Sequence, residues 1–274
     1  MRSFSALIEQ NRPLVMGILN TTPDSFSDGG QYTSTDTALD HAMQMLEQGA
    51  DIIDVGGEST RPGAEAVSEN EEIQRVVPVI ESIRQRADVC ISVDSSKPGV
   101  MRAAVNAGAD MLNDVNALRA PGALQTCAEL AVPVCIMHMQ GEPRTMQKSP
   151  SYRNVVQEVS DFLRQRVEAC IDAGISRHRL IIDPGFGFGK NLQHNLQLLR
   201  HLQAFKSLEL PLLIGISRKS MLGQILDGAP VEQRVSASIA AAVLAWTKGA
   251  SIFRVHDVKA TVDALKVCQA IDNP

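Results

Sequence analysis

The chain has 274 residues, a formal charge of −5 at pH 7, 44% apolar content and 21% charged content. That balance suits an ordinary globule with ample core and excludes a broadly basic nucleic-acid surface. A 4% aromatic share excludes a base-stacking platform, and no early apolar run approaches the ~20 residues of a bilayer span. The five cysteines (Cys90, Cys127, Cys135, Cys170, Cys268) are scattered and never spaced CxxC. They read as core thiols of a reducing compartment, and with no secretory segment after Met1 the chain is expected to be cytoplasmic.

Strands are predicted at 14–20, 51–57, 89–94, 110–115, 132–139, 179–184, 211–217 and 250–256. Their near-continuous Val/Ile/Leu content fits parallel strands buried on both faces. Helical periodicity intervenes. Ser68 to Glu71 reads as a capping box opening a helix over 69–86, and Gly49, Gly108 and Gly174 fall where helices stop. The runs end in polar residues: Asn20, Asp54, Asp94, Asn113, His138, Asp183, Ser217 and Arg254/His256.

Eight strand–helix units predict an α/β fold of one domain over 1–274, a (β/α)8 TIM barrel whose C-terminal strand ends share one mouth. Ile18/Asn20, Ser92/Asp94, Met111/Asn113, Ile136/His138, Ile181/Asp183 and Arg254/His256 are i,i+2 pairs, so each polar end residue continues an inward row. An open doubly wound sheet would also place ligands at strand carboxyl ends; no GxGxxG follows the first strand to favour it. The connections Thr21–Ser34 and Glu58–Val67 are long and polar and read as mobile loops on the functional face, with Gln140–Ser151 a weaker third.

The strand ends offer carboxylates (Asp94, Asp183), amides (Asn20, Asn113) and cations (Lys219, Arg254), with Arg61 on a loop. Carboxylates and amides suit a flat nitrogen heterocycle with N–H donors, and clustered cations suit a phosphate or pyrophosphate. An amide beside phosphates also suits Mg²⁺, which keeps much of its water. GFGFGK (185–190) lacks P-loop spacing and reads as tight turns bringing backbone close to a ligand. Asp54 reads as a brace for the second loop. His138 reads as a packing and hydrogen-bonding residue at the mouth, His41, His178, His194 and His201 as structural, and the methionines as core filler.

The stretches MGILNTTPDSFSDGG (16–30), DIIDVGGESTRPGA (51–64), ISVDSSKP (91–98), NDV (113–115), PVCIMHMQG (133–141), DPGFGFGKN (183–191), GISRKSM (215–221) and RVHDVK (254–259) resemble the dihydropteroate synthase family over essentially the whole chain. The resemblance implies a homodimeric (β/α)8 barrel. It would join 6-hydroxymethyl-7,8-dihydropterin pyrophosphate to p-aminobenzoate and would be a target of sulfonamide inhibitors. By that resemblance Asp94, Asn113 and Asp183 hydrogen-bond the pterin, Lys219 contacts its ring atoms and Arg254 stacks on its face. Asn20 would bind Mg²⁺ with the pyrophosphate, and His256 would hold pyrophosphate oxygens. Thr60, Arg61, Pro62, Phe186 and Ser220 would form the p-aminobenzoate pocket; whether Asp28 of the first loop joins the metal or pyrophosphate in a closed state stays open at this point.

Two rival readings differ at testable places. A pterin-binding domain that passes a methyl group to a corrinoid would lack the Ser-Thr-Arg-Pro-Gly loop and the Ser-Arg-Lys-Ser motif, both present at 59–63 and 217–220. A catalytically silent pterin-binding paralogue would have lost loop or metal residues, whereas Asn20, Arg61, Lys219 and His256 all remain.

Overall fold

In the computed structural model, residues 4–21, 31–59, 66–142 and 145–272 are described, without the side chains of 31–34 and 272. Eight parallel strands form one sheet: β1 (Leu14–Asn20), β2 (Ile52–Gly56), β3 (Cys90–Asp94), β4 (Met111–Asp114), β5 (Val134–Met137), β6 (Leu180–Asp183), β7 (Leu213–Ile214) and β8 (Ile252–Val255). They run in the order β6-β5-β4-β3-β2-β1-β8-β7, and a parallel bridge between Ile182 and Leu212 joins the two ends, so the sheet closes as a barrel. The doubly wound alternative is thereby excluded. Strand β7 keeps two residues of the seven in its apolar run, because Gly215 and the following turn leave the ladder early.

Helices alternate with the strands: α2 (Gln31–Glu47), α3 (Glu69–Arg86), α4 (Pro98–Asn106), α5 (Ala123–Leu130), α6 (Val155–Asp172), α7 (Leu192–Arg200), α8 (Ser220–Ile225), α9 (Val235–Trp246) and α10 (Val258–Asp272). A short helix, α1 (Phe4–Ile8), precedes them all; the periodicity of the chain gave no sign of it. Helix α3 begins and ends where its pattern predicts. Ser68 accepts the Glu71 N–H, but the reciprocal half of the box is not made, since Glu71 pairs with Arg75 at 2.5 Å instead. Helix α2 begins at Gln31, inside the stretch expected to be loop.

Two apolar layers follow from strand parity. Leu14, Met16, Ile52, Cys90, Met111, Cys135, Ile181, Leu213 and Ile252 point inward and fill the barrel, with Phe4 and Leu7 of α1 closing its N-terminal end. The alternate residues, among them Val15, Ile53, Ile91, Leu112, Ile136, Ile182 and Phe253, meet the helices in a larger outer layer. Full burial of such a side chain contributes roughly 1.5–3 kcal/mol, so the interior plug both stabilises the barrel and forms a rigid floor for whatever lies above it.

Candidate active site

Above that plug, inward positions turn polar on most strands. Asn20, Gly56 and Asp94 are register neighbours across β1, β2 and β3, and Asp94 neighbours Asn113 of β4. Gly56 leaves a gap between two ligand-type side chains: a Cβ there would lie 3.6 Å from Asp94 Cβ and 3.8 Å from Asn20 Oδ1. Arg254 enters from β8 and donates from Nε to Asp54 Oδ2 at 2.6 Å and from Nη2 to Asp94 Oδ2 at 2.7 Å. Asp54 Oδ2 also accepts from Asn113 Nδ2 at 3.2 Å. With its amino group on Asp54, Asn113 keeps its side-chain oxygen as an acceptor.

This ring carries two acids for one base in a nearly dry setting, and its proton affinities shift accordingly. Burial pushes the Asp94 carboxyl up to about 7; Arg254 opposes the shift and the Asp54 charge adds to it. Burial works against the Arg254 charge, but Asp54 and Asp94 overcome it and hold the guanidinium above its ordinary range. Asp54 therefore braces Arg254 and Asn113 rather than the second loop. The ends of that loop are tied by another acid, Glu58, whose Oε1 accepts the Val67 N–H at 3.0 Å.

Across the mouth, Asp183 ends β6. Burial raises its carboxyl, while the Gly185 N–H, 2.7 Å from Oδ1, and the charge of Lys219 pull the other way. Lys219 Nζ sits 4.0 Å above the centre of the Phe188 ring, and burial lowers it to about 8 against the attraction of Asp183. Ser220 follows it, exposed, at the start of α8. Half-buried His256 shares a 3.0 Å hydrogen bond between Nδ1 and Ser217 Oγ, whose oxygen also receives the His256 N–H at 3.1 Å.

Two expectations are corrected. Phe186 is 1% exposed and packed in the outer layer, so it offers no face to a ligand; Phe188, two residues on, holds the aromatic position beside Lys219. His138 does not continue an inward row. Register pairs Cys135 with Ile181 and Met137 with Asp183, which makes Met137 the inward residue and sends His138 outward against Phe162 of α6, with ring centres 4.9 Å apart. Met137 and Met139 are accordingly more than filler. They gather with Met146, Val115 and Phe188 into a separate apolar cluster beside Asp183.

Asn20, Asp94, Asn113, Asp183, Lys219, Ser220, Arg254 and His256 thus come together at the strand carboxyl ends, as barrel topology requires. Thr60, Arg61, Pro62 and Asp28 lie outside the described residues. Residues missed from sequence include Gly56, Met137, Met139 and Phe188. No local signal marked the first methionine, because the parity that points Met137 inward came only with the strand register.

A family profile for pterin binding enzymes matches residues 16–256. The dihydropteroate synthase of Haemophilus influenzae is 59% identical over 261 residues, 95% of this chain and 94% of that protein. Two solved structures superpose with similar closeness. The Yersinia pestis dihydropteroate synthase with a sulfonamide drug complex has a TM-score of 0.92 at 54% identity, covering 96% of each chain. The Xanthomonas albilineans enzyme in complex with 7,8-dihydropteroate has a TM-score of 0.88 at 50% identity, covering 96% of this chain and 95% of that one. Family profile, sequence identity and barrel geometry agree, and the chain belongs to the pterin-binding enzymes, within their dihydropteroate synthase family.

Proposed function

We propose that this chain joins 6-hydroxymethyl-7,8-dihydropterin pyrophosphate to p-aminobenzoate, releasing pyrophosphate and 7,8-dihydropteroate. One observation carries the reading: the buried ring of Asp54, Arg254, Asp94 and Asn113 facing Asp183 and Lys219 across one mouth. The acids and the Asn113 side-chain carbonyl accept from the N–H edge of a pterin. The guanidinium of Arg254 gives its face to the ring, and Lys219 adds a donor to ring acceptors. Met137, Met139 and Phe188 supply an apolar wall.

In the reaction the bond from the pterin methylene carbon to the pyrophosphate oxygen breaks, and its electron pair leaves with the pyrophosphate. Positive charge left on the methylene and ring is offset by Asp94 and Asp183. The neutral arylamine nitrogen of p-aminobenzoate then bonds to that carbon and loses a proton to water, so no strong general base is needed. His256, held by Ser217, is placed for pyrophosphate oxygens. The family resemblance assigns Thr60, Arg61, Pro62 and Ser220 to the p-aminobenzoate side, and there Phe188 takes the place expected of Phe186.

The donor set also fits Mg²⁺. Among the described residues no group of three His, Cys, Asp or Glu is gathered for a cage. The single amide oxygen of Asn20 at the mouth suits an ion that keeps waters and takes substrate phosphate oxygens. When bound, the ion would neutralise charge on the departing pyrophosphate.

The 1–274 stretch acts as one domain and works as a homodimer in the cytoplasm. Leu244, Val267 and Ile271 are exposed on α9 and α10, which pack together, and suit a second copy of this chain. No described helix is long and apolar enough to cross a membrane. The direct test incubates the purified chain with dihydropterin pyrophosphate, Mg²⁺ and labelled p-aminobenzoate. Labelled dihydropteroate is expected, competed away by sulfonamides. Its absence where a control enzyme turns over would sink the proposal.

A further inference from the structure

Lys190 has no part in the chemistry above, yet its side chain is driven into the protein. At 3% exposure, Nζ lies 2.8 Å from Gly185 O, 3.0 Å from Phe188 O and 2.9 Å from His138 Nδ1. An ammonium has three donors and no acceptor, so these three close acceptors take up all of them, with His138 O a longer fourth contact at 3.5 Å. Burial lowers the Lys190 ammonium well below its ordinary range, and the charge of Asp183 works against that. Burial and the nearby ammonium keep His138 neutral; against a charged Lys190, which only donates, Nδ1 must be the accepting nitrogen, with the ring proton on Nε2.

What the tripod holds is the turn 184–189. Gly185, Gly187 and Gly189 all have positive φ (71°, 79° and 61°), a shape that glycine permits without preferring. From this turn the Gly185 N–H fixes Asp183, Gly187 abuts the Lys219 stem, and Phe188 carries Lys219 over its ring. The same backbone is gripped from outside by Tyr152, whose hydroxyl donates to Gly189 O at 2.9 Å, and by Gln147, which donates to Gly187 O. Lys190 pins it from within.

We propose that Lys190 is a positioning residue for the heterocycle. Locked by His138 as its acceptor, it sets pterin affinity by holding the 184–189 turn against Asp183 and Lys219. The inference rests on the reading of the mouth as a pterin site. It also gives His138 its role: a side chain on the outer face of the sheet acts on the inner face through one ammonium.

Calorimetric titration with 6-hydroxymethylpterin, run well below each melting point, tests it on the intact chain. Lys190→Met and His138→Phe are each expected to weaken binding at least tenfold. His138→Gln, whose side-chain oxygen still accepts, is expected to stay within threefold of the parent. The double variant Lys190→Met/His138→Phe should be no more than threefold weaker than Lys190→Met, because both remove one device. Lower melting with unchanged pterin affinity in Lys190→Met overturns the proposal. If Lys190→Met does not fold, a loss in His138→Gln as large as or larger than that in His138→Phe overturns it, since the side-chain acceptor would then not be what matters. A parent protein that binds no pterin overturns the underlying site reading, a failure distinguishable from the others.

Discussion

Arg254 Nε donates to Asp54 Oδ2 at 2.6 Å, and that acceptor is wholly removed from water. The same oxygen receives Asn113 Nδ2, so one carboxylate oxygen orients both a cation and an amide that face the ligand. Removing one partner of a buried ion pair costs about 3–5 kcal/mol. Asp54→Ala should therefore lose stability of that order in urea unfolding, with pterin affinity lowered at least tenfold in what remains folded. A loss under about 1 kcal/mol, the range of an exposed pair, would show that the pair is not held as described.

Proton affinities at the mouth define a pH window. The Asp94 carboxyl, pushed up to about 7, is ionised and able to accept pterin N–H groups only above that value. As pH falls through 7 it takes up a proton and kcat/KM should drop, at a limiting slope of about tenfold per unit for one proton. Asp183, shifted the same way, steepens that limb. Lys219, lowered to about 8, loses its charge as pH rises through 8 and should produce an alkaline limb. Asp94→Asn should flatten the acid limb, and Lys219→Arg should move the alkaline limb out of range. Asp54→Asn removes a charge that raises Asp94 and should shift the acid limb to lower pH. A parent profile flat between about pH 6 and 9, or limbs untouched by these changes, would refute the assignments.

How legible this was from sequence varied with the local pattern. The run 14–20 lies between Pro13 and Thr21 and matches β1 from Leu14 to Asn20. Buried parallel strands are apolar on both faces, however, so composition does not say which parity faces inward. In VPVCIMHM (132–139) every position but His138 is apolar or proline, and nothing in the run marks Cys135 and Met137 as inward. Phe186 and Phe188 stand two apart in a turn of positive-φ glycines, where strand alternation does not apply and only tertiary packing separates them. Nothing in the sequence marks Lys190, since the carbonyl and imidazole acceptors brought together from 138, 185 and 188 leave no local trace. Strand-end polarity located the mouth; the partners behind it came only with register.

Two glycines should separate the mouth from the scaffold. At Gly56 an added methyl meets its neighbours at 3.6–4.0 Å, ordinary van der Waals distances, and it would stand between Asn20 and Asp94. Gly56→Ala should melt close to the parent, within about 1 kcal/mol, while the KM for dihydropterin pyrophosphate rises at least tenfold. Gly185 has φ 71°, and a methyl there would overlap the His138 carbonyl oxygen, a backbone atom that cannot step aside. Gly185→Ala should cost about 4 kcal/mol or more and express poorly. Equal melting points for the two variants, or full activity in Gly56→Ala, would contradict the placement of Gly56 in the ligand's space.

Asn20 sets the final expectation, because of what surrounds it. It stands at the end of β1, half-buried, with Asp94 across Gly56 as the nearest carboxylate in register. That carboxylate is already engaged by Arg254. One amide oxygen is a poor site for an ion that sheds water reluctantly. Mg²⁺ should therefore bind the free chain weakly and bind well only together with pyrophosphate, whose oxygens complete its shell. Calorimetry should show pyrophosphate affinity rising at least tenfold when Mg²⁺ is added, and little heat from Mg²⁺ alone. Asn20→Ala should remove most of that gain and leave pterin affinity within about threefold, since a threefold change is near 0.65 kcal/mol and pterin contacts lie elsewhere in the ring. Chelation should stop turnover reversibly. Pyrophosphate binding that ignores Mg²⁺, or an Asn20→Ala variant with the full Mg²⁺-dependent gain, would remove Asn20 from the metal's shell.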